Sequence, residues 1–305
     1  MKIKLVIVIL ILAILIIVIG ILAVNFGVKM TLMADRKDSK TMLEELWYNF
    51  GTDYRDYEKL PVEEVHINSH DGLKLKAYYH NLHPDSKKVV IINHGYTANH
   101  YVTYQFTDVF FEEGYNVLLI DMRSHGESQG EFASYAYNES KDIGTWIKWV
   151  EERLGESAYI GLHGQSMGAA TVLLYGGNNP HKVKFVIEDC GFTTAREAIK
   201  FQFNKAKVPF WPLYDLVRGR VKRKFQFDFN EISPIEAIIN SSVPTFFIHG
   251  GNDIVVPTWM AKEMYNKKNG PKDMIYIVHG ADHMQSYSKD KEAYKGKVRE
   301  FLNNI

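Results

Sequence analysis

Six short apolar runs, each too short for a buried helix, constrain the fold of this chain more than any other feature. They read VVIIN at 89–93, NVLLID at 116–121, AYIGLH at 158–163, KFVIED at 184–189, PTFFIH at 244–249 and DMIYIV at 273–278. Segments able to form helices separate most of them. Near-continuous apolar strands joined by helical crossovers specify a mostly parallel sheet with helices on both faces. Ahead of them, VHINSHDGLKLKAYYH at 65–80 alternates apolar and polar residues around His70, Asp71 and Gly72, which is the pattern of a β-hairpin. No internal repeat or low-complexity linker breaks this order.

The N-terminus obeys a different rule. From Leu5 to Val24 no side chain is charged or strongly polar, and such a stretch makes roughly 30 Å of helix, the thickness of a bilayer's hydrocarbon core. A cleaved signal peptide is the alternative. The run exceeds the ~7–15 apolar residues of such peptides, and no clear A-x-A cleavage site follows. Residues 1–28 are therefore read as a retained transmembrane anchor, giving a single-pass membrane protein. Lys2 and Lys4 flank one end and Lys29, Arg36, Lys37 and Lys40 the other, so the positive-inside rule assigns the domain to neither side. In 37–50, Met42, Leu43, Leu46, Trp47 and Phe50 fall at helical spacing, and 29–60 is read as an amphipathic helical linker.

The remainder, 61–305, suits one large α/β domain better than two small ones. Basic and acidic residues balance at 36 each, which removes the charge excess that a nucleic-acid partner requires. The single cysteine, Cys190, excludes an intrachain disulfide and a Cys-rich metal site. One interval, 192–232, is longer than an ordinary crossover. It mixes Phe201, Phe203, Phe210, Trp211 and Tyr214 with Arg218, Arg220, Lys222, Arg223 and Lys224. Two readings stand: a small helical insert acting as a lid over the strand ends, or a pair of helices simply packed on the sheet. The basic run is a solvated face or, beside a membrane, a surface for anionic headgroups.

The chemistry centres on Gly164-Gln165-Ser166-Met167-Gly168, which directly follows a predicted strand and precedes a predicted helix. This is the G-x-S-x-G nucleophile elbow in the context that the pattern requires. Gly164 and Gly168 lack the β-carbon that would keep strand and helix apart. A serine hydroxyl needs a base from elsewhere in the chain. Of the twelve histidines, His283 lies just beyond the last predicted strand, at the sheet end where open α/β sheets carry their sites. Asp253, on the loop after PTFFIH, supplies an orienting carboxylate and completes the order Ser, Asp, His. Asp189 is the reserve acid; Asp282 adjoins the histidine and is poorly placed to reach its ring. The backbone N–H groups of Met167 and Tyr96, the latter following His94-Gly95, are the expected oxyanion donors. The sequence shows no metal cluster and no dinucleotide fingerprint, so no metal or other cofactor is expected.

Five motifs in order, INHGYT, DMRSHGES at 121–128, HGQSMGAA, IHGGNDIVVP and GADHMQSY, make the chain resemble the α/β-hydrolase superfamily, and more narrowly its bacterial, membrane-anchored YqkD-like members. The resemblance spans most of 60–305. It implies an eight-stranded sheet, a triad of Ser166, His283 and Asp253, carboxylic-ester hydrolysis, a bacterial cell membrane as the location, and a structural role for Asp121, Arg123 and His125. The expected substrate is an ester of short to medium acyl length, or a lipid-like one, met beside the membrane. Peptidase or thioesterase chemistry on the same fold, and a non-catalytic membrane-tethered binding protein, are the rival readings. The oligomeric state is not legible in the sequence.

Overall fold

The computed structural model describes residues 2–33, 38–50, 57 and 59–305. Two N-terminal helices, α1 (Lys2–Leu32) and α2 (Ser39–Phe50), precede the hairpin β1 (Glu63–Asn68) and β2 (Lys74–His80). Then follow β3 (Lys88–Asn93), α3 (Thr107–Glu112), β4 (Asn116–Ile120), α4 (Tyr137–Leu154), β5 (Tyr159–Gln165), α5 (Met167–Asn178) and β6 (Phe185–Asp189). The chain ends with α6 (Ala195–Lys205), α7 (Leu213–Phe225), α8 (Pro234–Ile238), β7 (Thr245–Gly250), α9 (Trp259–Lys268), β8 (Met274–Val278), α10 (Ser286–Lys289) and α11 (Lys291–Asn304). All six apolar runs and the hairpin become strands of one eight-stranded sheet, ordered β1-β2-β4-β3-β5-β6-β7-β8. The hairpin pairs internally and with β4 in antiparallel fashion, and every pairing from β4 to β8 is parallel.

The apolar runs have no polar alternation because the sheet is covered on both sides. Along β3, Val89 and Ile91 face a core shared with Trp146 and Ile147 of α4 and Val172 of α5. Val90 and Ile92 face the opposite core, with Phe110 of α3 and Val298 and Phe301 of α11. Successive side chains of a strand point to opposite faces, so a two-sided core demands an apolar residue at every position. Each such side chain contributes about 1.5–3 kcal/mol on full burial. The chain runs from β3 to β4 on one side and returns to β5 on the other. The crevice at the carboxyl ends of β3 and β5 is thus a topological switch point, where open α/β sheets bind ligands.

In α1, Ile3–Leu32 is long and apolar enough to cross a membrane by length and composition. The helix continues four residues beyond the expected anchor boundary at 28, and its last turns join the domain. Val28 and Leu32 are buried, and Leu32 O accepts a hydrogen bond from Ala133 N at 2.9 Å. Met42 and Leu46 of α2 are buried in the core on the α11 side of the sheet. The side chains of Trp47 and Phe50, and residues 34–37, 51–56 and 58 of the expected linker, lie outside the described residues. The 192–232 interval forms α6 and α7, whose buried faces (Ile199, Tyr214, Val217, Val221) share a third core with Phe192, Phe229 and the end of α1.

The DMRSHGES segment is built as a structural loop. Asp121 accepts hydrogen bonds from the backbone and ring of His100 and from Glu127 N. Arg123, 2% exposed, holds Asp142 of α4 through Nε and Nη2, each at 2.7 Å, and Asp71 of the hairpin turn at 2.8 and 3.1 Å. One guanidinium therefore ties the hairpin, the exit of β4 and α4 together. Arg123→Ala leaves the buried Asp142 carboxylate without its charge partner, which costs about 3–5 kcal/mol. A loss of unfolding free energy of that size is expected in urea denaturation, and Arg123→Lys restores only part of it because an ammonium cannot make both two-pronged contacts.

Candidate active site

At the switch point, β5 ends and α5 begins within one residue. Ser166 caps the helix at φ 55°, ψ −115°, a left-handed conformation that costs a non-glycine residue on the order of 1–3 kcal/mol. The turn is held by Ser166 N donating to Asp189 O at 2.8 Å and Ala170 N donating to Ser166 O at 3.1 Å. The glycines are required by contact. A β-carbon on Gly164 would sit 2.2 Å from Gly168 O, and one on Gly168 would sit 2.4 Å from His94 O.

His283 arrives on the loop after β8, and its Nε2 lies 2.9 Å from Ser166 Oγ. Its Nδ1 lies 2.7 Å from Asp253 Oδ2. With Nδ1–H donated to the carboxylate, Nε2 is left to accept the serine proton. Asp253 Oδ1 accepts from Val255 N and Val256 N, both at 2.8 Å. Asp189 does not take this place. Its carbonyl holds the elbow, its carboxyl accepts from Ser286 Oγ at 3.0 Å, and burial pushes its pKa up to about 6. Asp282 instead accepts from His283 N and Ile254 N, fastening the two loops together.

The loop after β3 comes close enough that a β-carbon on Gly95 would be 3.3 Å from Ser166 Cβ. Tyr96 and Met167 line a cavity of about 190 Å³ with Ser166, Tyr135, Phe192 and Val256. Met167 begins α5, where the first backbone N–H groups have no intrahelical acceptor and the helix dipole favours negative charge.

A model of the alpha/beta hydrolase fold matches residues 88–225. The YqkD protein of Bacillus subtilis (strain 168) is 31% identical over 278 residues, spanning 90% of this chain and 90% of that one. The chain belongs to the α/β-hydrolase family. A more distant relative is the alpha/beta hydrolase domain-containing protein WAV2 of Arabidopsis thaliana, 24% identical over 80% of this chain and 79% of its own. Among solved structures, the Pyrococcus furiosus esterase Pf2001 superposes with a TM-score of 0.65 at 26% identity, covering 83% of this chain and 95% of that one.

Three histidines of this α/β hydrolase support the site without touching Ser166. His249, at the end of β7, places Nε2 2.8 Å from Val256 O and 3.2 Å from Asp253 Oδ2. Sequence reading passed over it, although a histidine four residues before the acid on the same strand-to-loop turn was the available signal. Burial acts to raise the Asp253 pKa, but the bonds from His249 and His283 outweigh it and hold the carboxyl well below its ordinary value. Burial likewise opposes charge on His249, but its bonds to Asp253 and Val256 O and the nearby carboxyls of Glu188 and Asp253 together outweigh it, raising the ring. His94 and His125 pin the loop that carries Tyr96: His94 Nε2 accepts from Met122 N at 3.0 Å, and His125 Nε2 accepts from Thr97 N at 3.1 Å. Burial holds His94 neutral, with its pKa near 3.

Two groups among the described residues have the composition of metal ligands. Cys190, Asp253 and His283 form one, in which the histidine and the carboxylate already bond each other; His70, Asp71 and Asp142 form the other, in which Arg123 grips both acids.

Asp253→Asn removes the acceptor of two rings and is expected to lower stability by about 1.5–3 kcal/mol near pH 5–6. A depressed carboxyl stabilises the fold above its unfolded pKa, near ~3.9, and loses that contribution as pH falls through the folded value. A raised histidine contributes below its unfolded pKa of ~6.5 and loses that as pH climbs through its folded value. Denaturation across pH 2–9 should therefore show the gap between wild type and variant widest near pH 5–6 and closing toward both ends.

Proposed function

We propose that this protein is a membrane-tethered serine hydrolase that cleaves carboxylic esters through Ser166, His283 and Asp253. The observation that carries the reading is the chain of contacts from Ser166 Oγ to His283 Nε2 at 2.9 Å and from His283 Nδ1 to Asp253 Oδ2 at 2.7 Å. Ser166 Oγ attacks the ester carbonyl while His283 Nε2 takes its proton; the imidazolium that forms is stabilised by Asp253. The tetrahedral oxyanion is met by the N–H groups of Met167 and Tyr96, donors that cost no reorganisation at the moment of reaction. His283 returns the proton to the leaving alkoxide, and the acyl-enzyme remains on Ser166. Water, deprotonated by the same ring, then releases the acid and regenerates the serine.

Ester rather than amide cleavage is favoured by the likeness to the Pyrococcus furiosus esterase. Membrane tethering rests on the single apolar N-terminal helix. The cavity at Ser166, about 190 Å³ and walled mainly by aromatic and aliphatic side chains, suits an acyl group more than a charged one. Substrates are therefore short to medium acyl esters or esters derived from lipids.

A fluorophosphonate probe is expected to label wild-type protein on Ser166 and to leave Ser166→Ala unlabelled. The alanine variant should lose at least about 10³-fold in kcat on p-nitrophenyl butyrate while keeping its thermal midpoint. A folded wild type that neither takes the probe nor turns over an ester of any chain length removes the hydrolase reading and leaves that of a tethered binding protein.

A further inference from the structure

The N-terminal helix does more than end at the domain: its last turns wall a second cavity. This space, of about 500 Å³, lies between α1 (Ala23, Phe26, Met30) and the insert helices (Ile199, Phe203, Leu213). Its volume falls in the range of about 300–1,000 Å³ typical of small-molecule sites, and its lining is predominantly apolar, as such sites require. Tyr135 and Gln202 border both this cavity and the one holding Ser166. Both residues are held in place. Tyr135 occupies a left-handed turn at φ 56° braced by Ser134 and Glu139, and Gln202 Nε2 donates to Val255 O on the loop that carries Asp253.

The packing of α1 against α7 is specific rather than incidental. A β-carbon on Gly27 would lie 2.8 Å from Val217 Cγ2, so the two helices touch at a residue without a side chain, as closely packed membrane helices do. Further along the same contact, Arg220 and Arg223 of α7 border a groove with Ile17, Ile21 and Asn25 of α1. Cations at the end of an apolar span match the headgroup level of a bilayer. Val208, Trp211 and Leu216 are exposed on the insert, and Trp is enriched at the same interfacial depth. The groove between α1 and α7, the cavity and Ser166 thus follow one another in space.

We infer that the space between α1 and the insert is the binding site for the acyl chain of a long-chain ester, which reaches Ser166 from the membrane past Tyr135 and Gln202. This inference rests on the serine-hydrolase reading and deepens it: the anchor helix is a wall of the substrate site, and the insert forms the opposite wall. The occupant is a single hydrocarbon chain, because the lining is mainly apolar and two of its polar members already have partners, Thr31 Oγ1 donating to Gly27 O and the Tyr214 hydroxyl to Asn230 Oδ1. A full-length protein is needed to complete the site.

Full-length protein in lipid nanodiscs, wild type, Ala23→Trp and Leu12→Trp, would be titrated with an ethyl and a hexadecyl fluorophosphonate. Wild type should react with the hexadecyl probe at least tenfold faster than with the ethyl probe. Ala23→Trp, which fills the cavity, should lower that ratio at least tenfold. Leu12→Trp, on the exposed part of the same helix, should leave it unchanged and so accounts for partition of the probe into the bilayer. In parallel, a palmitoyl ester carrying a terminal diazirine would be irradiated with Ser166→Ala protein, a readout that needs no turnover; crosslinks to Phe203 or Leu213 are expected and should be lost in Ser166→Ala combined with Ala23→Trp. An unchanged ratio in Ala23→Trp, or the absence of crosslinks on the insert helices, overturns the inference and leaves a packing gap. Crosslinks on the insert with no fluorophosphonate labelling of wild type uphold the chain-binding site and overturn the hydrolase reading alone.

Discussion

The passage from β5 to α5 through Ser166 is the constraint on which the rest of this structure depends. Strand and helix approach so closely there that Gly164 and Gly168 have no room for a β-carbon, and Ser166 is forced into a left-handed conformation. Backbone strain of this kind persists only when the surroundings over-determine it. Here they do: the carbonyl of Asp189 on β6 fixes the serine N–H, the carbonyl of His94 abuts Gly168, and the sheet on both sides is packed with fully buried aliphatic residues. The strain lifts the hydroxyl out of the sheet at a helix N-terminus, where developing negative charge is favoured.

Electrostatics at the site follow from burial with satisfied partners. Asp253 is almost fully enclosed, yet two backbone N–H groups and two histidine rings surround its oxygens. A buried carboxylate with that many donors keeps its charge, since its bonds and the neighbouring rings together favour the ionised form more than desolvation opposes it. Asp189, more deeply buried and only one strand away, has hydroxyls as its side-chain partners and is pushed toward the neutral acid by burial. Two aspartates at neighbouring strand ends are thereby given opposite electrostatic characters by their burial and their donors. The histidines sort in the same way: His94 and His163 are held neutral by burial, and His249 is raised because its bonds and the nearby carboxyls together outweigh burial.

The N-terminal helix joins two environments. Its apolar run is exposed from Ile3 to Leu22, whereas Val28 and Leu32 belong to the same core as α6 and α7. One continuous helix thus carries side chains suited to lipid at one end and to protein at the other. The insert owes its position to this helix, to the β7–α9 loop, which accepts hydrogen bonds from Gln202 and Lys205, and to the aromatic core around Phe229. It is a pair of helices packed on the domain, and Ala198 and Gln202 of α6 border the cavity at Ser166.

Much of this was legible beforehand, for reasons that can be named. A two-faced sheet imposes unbroken apolar runs, so six strands could be read from those runs and the hairpin's two from their alternation. A turn without room for a β-carbon imposes glycine, so Ser166 stood out, and sites at strand ends bring His283 and Asp253 into view once the strands are known. Other features left no such trace. Whether Asp253 or Asp189 meets His283, and that His249 joins the pair, depends on the relative heights of β6, β7 and β8 and on the shape of their loops. That α1 runs on past 28 to pack against α7 is equally invisible, because an apolar side chain satisfies a bilayer and a protein core alike. The sequence by itself determined the sheet, the elbow turn and the order of the candidate site residues, since those follow from periodicity and steric exclusion within short segments. Only the tertiary structure decided the partners of each acid and the meeting of the N-terminal helix and the insert, since those are contacts between residues far apart in the chain, set by how whole elements dock.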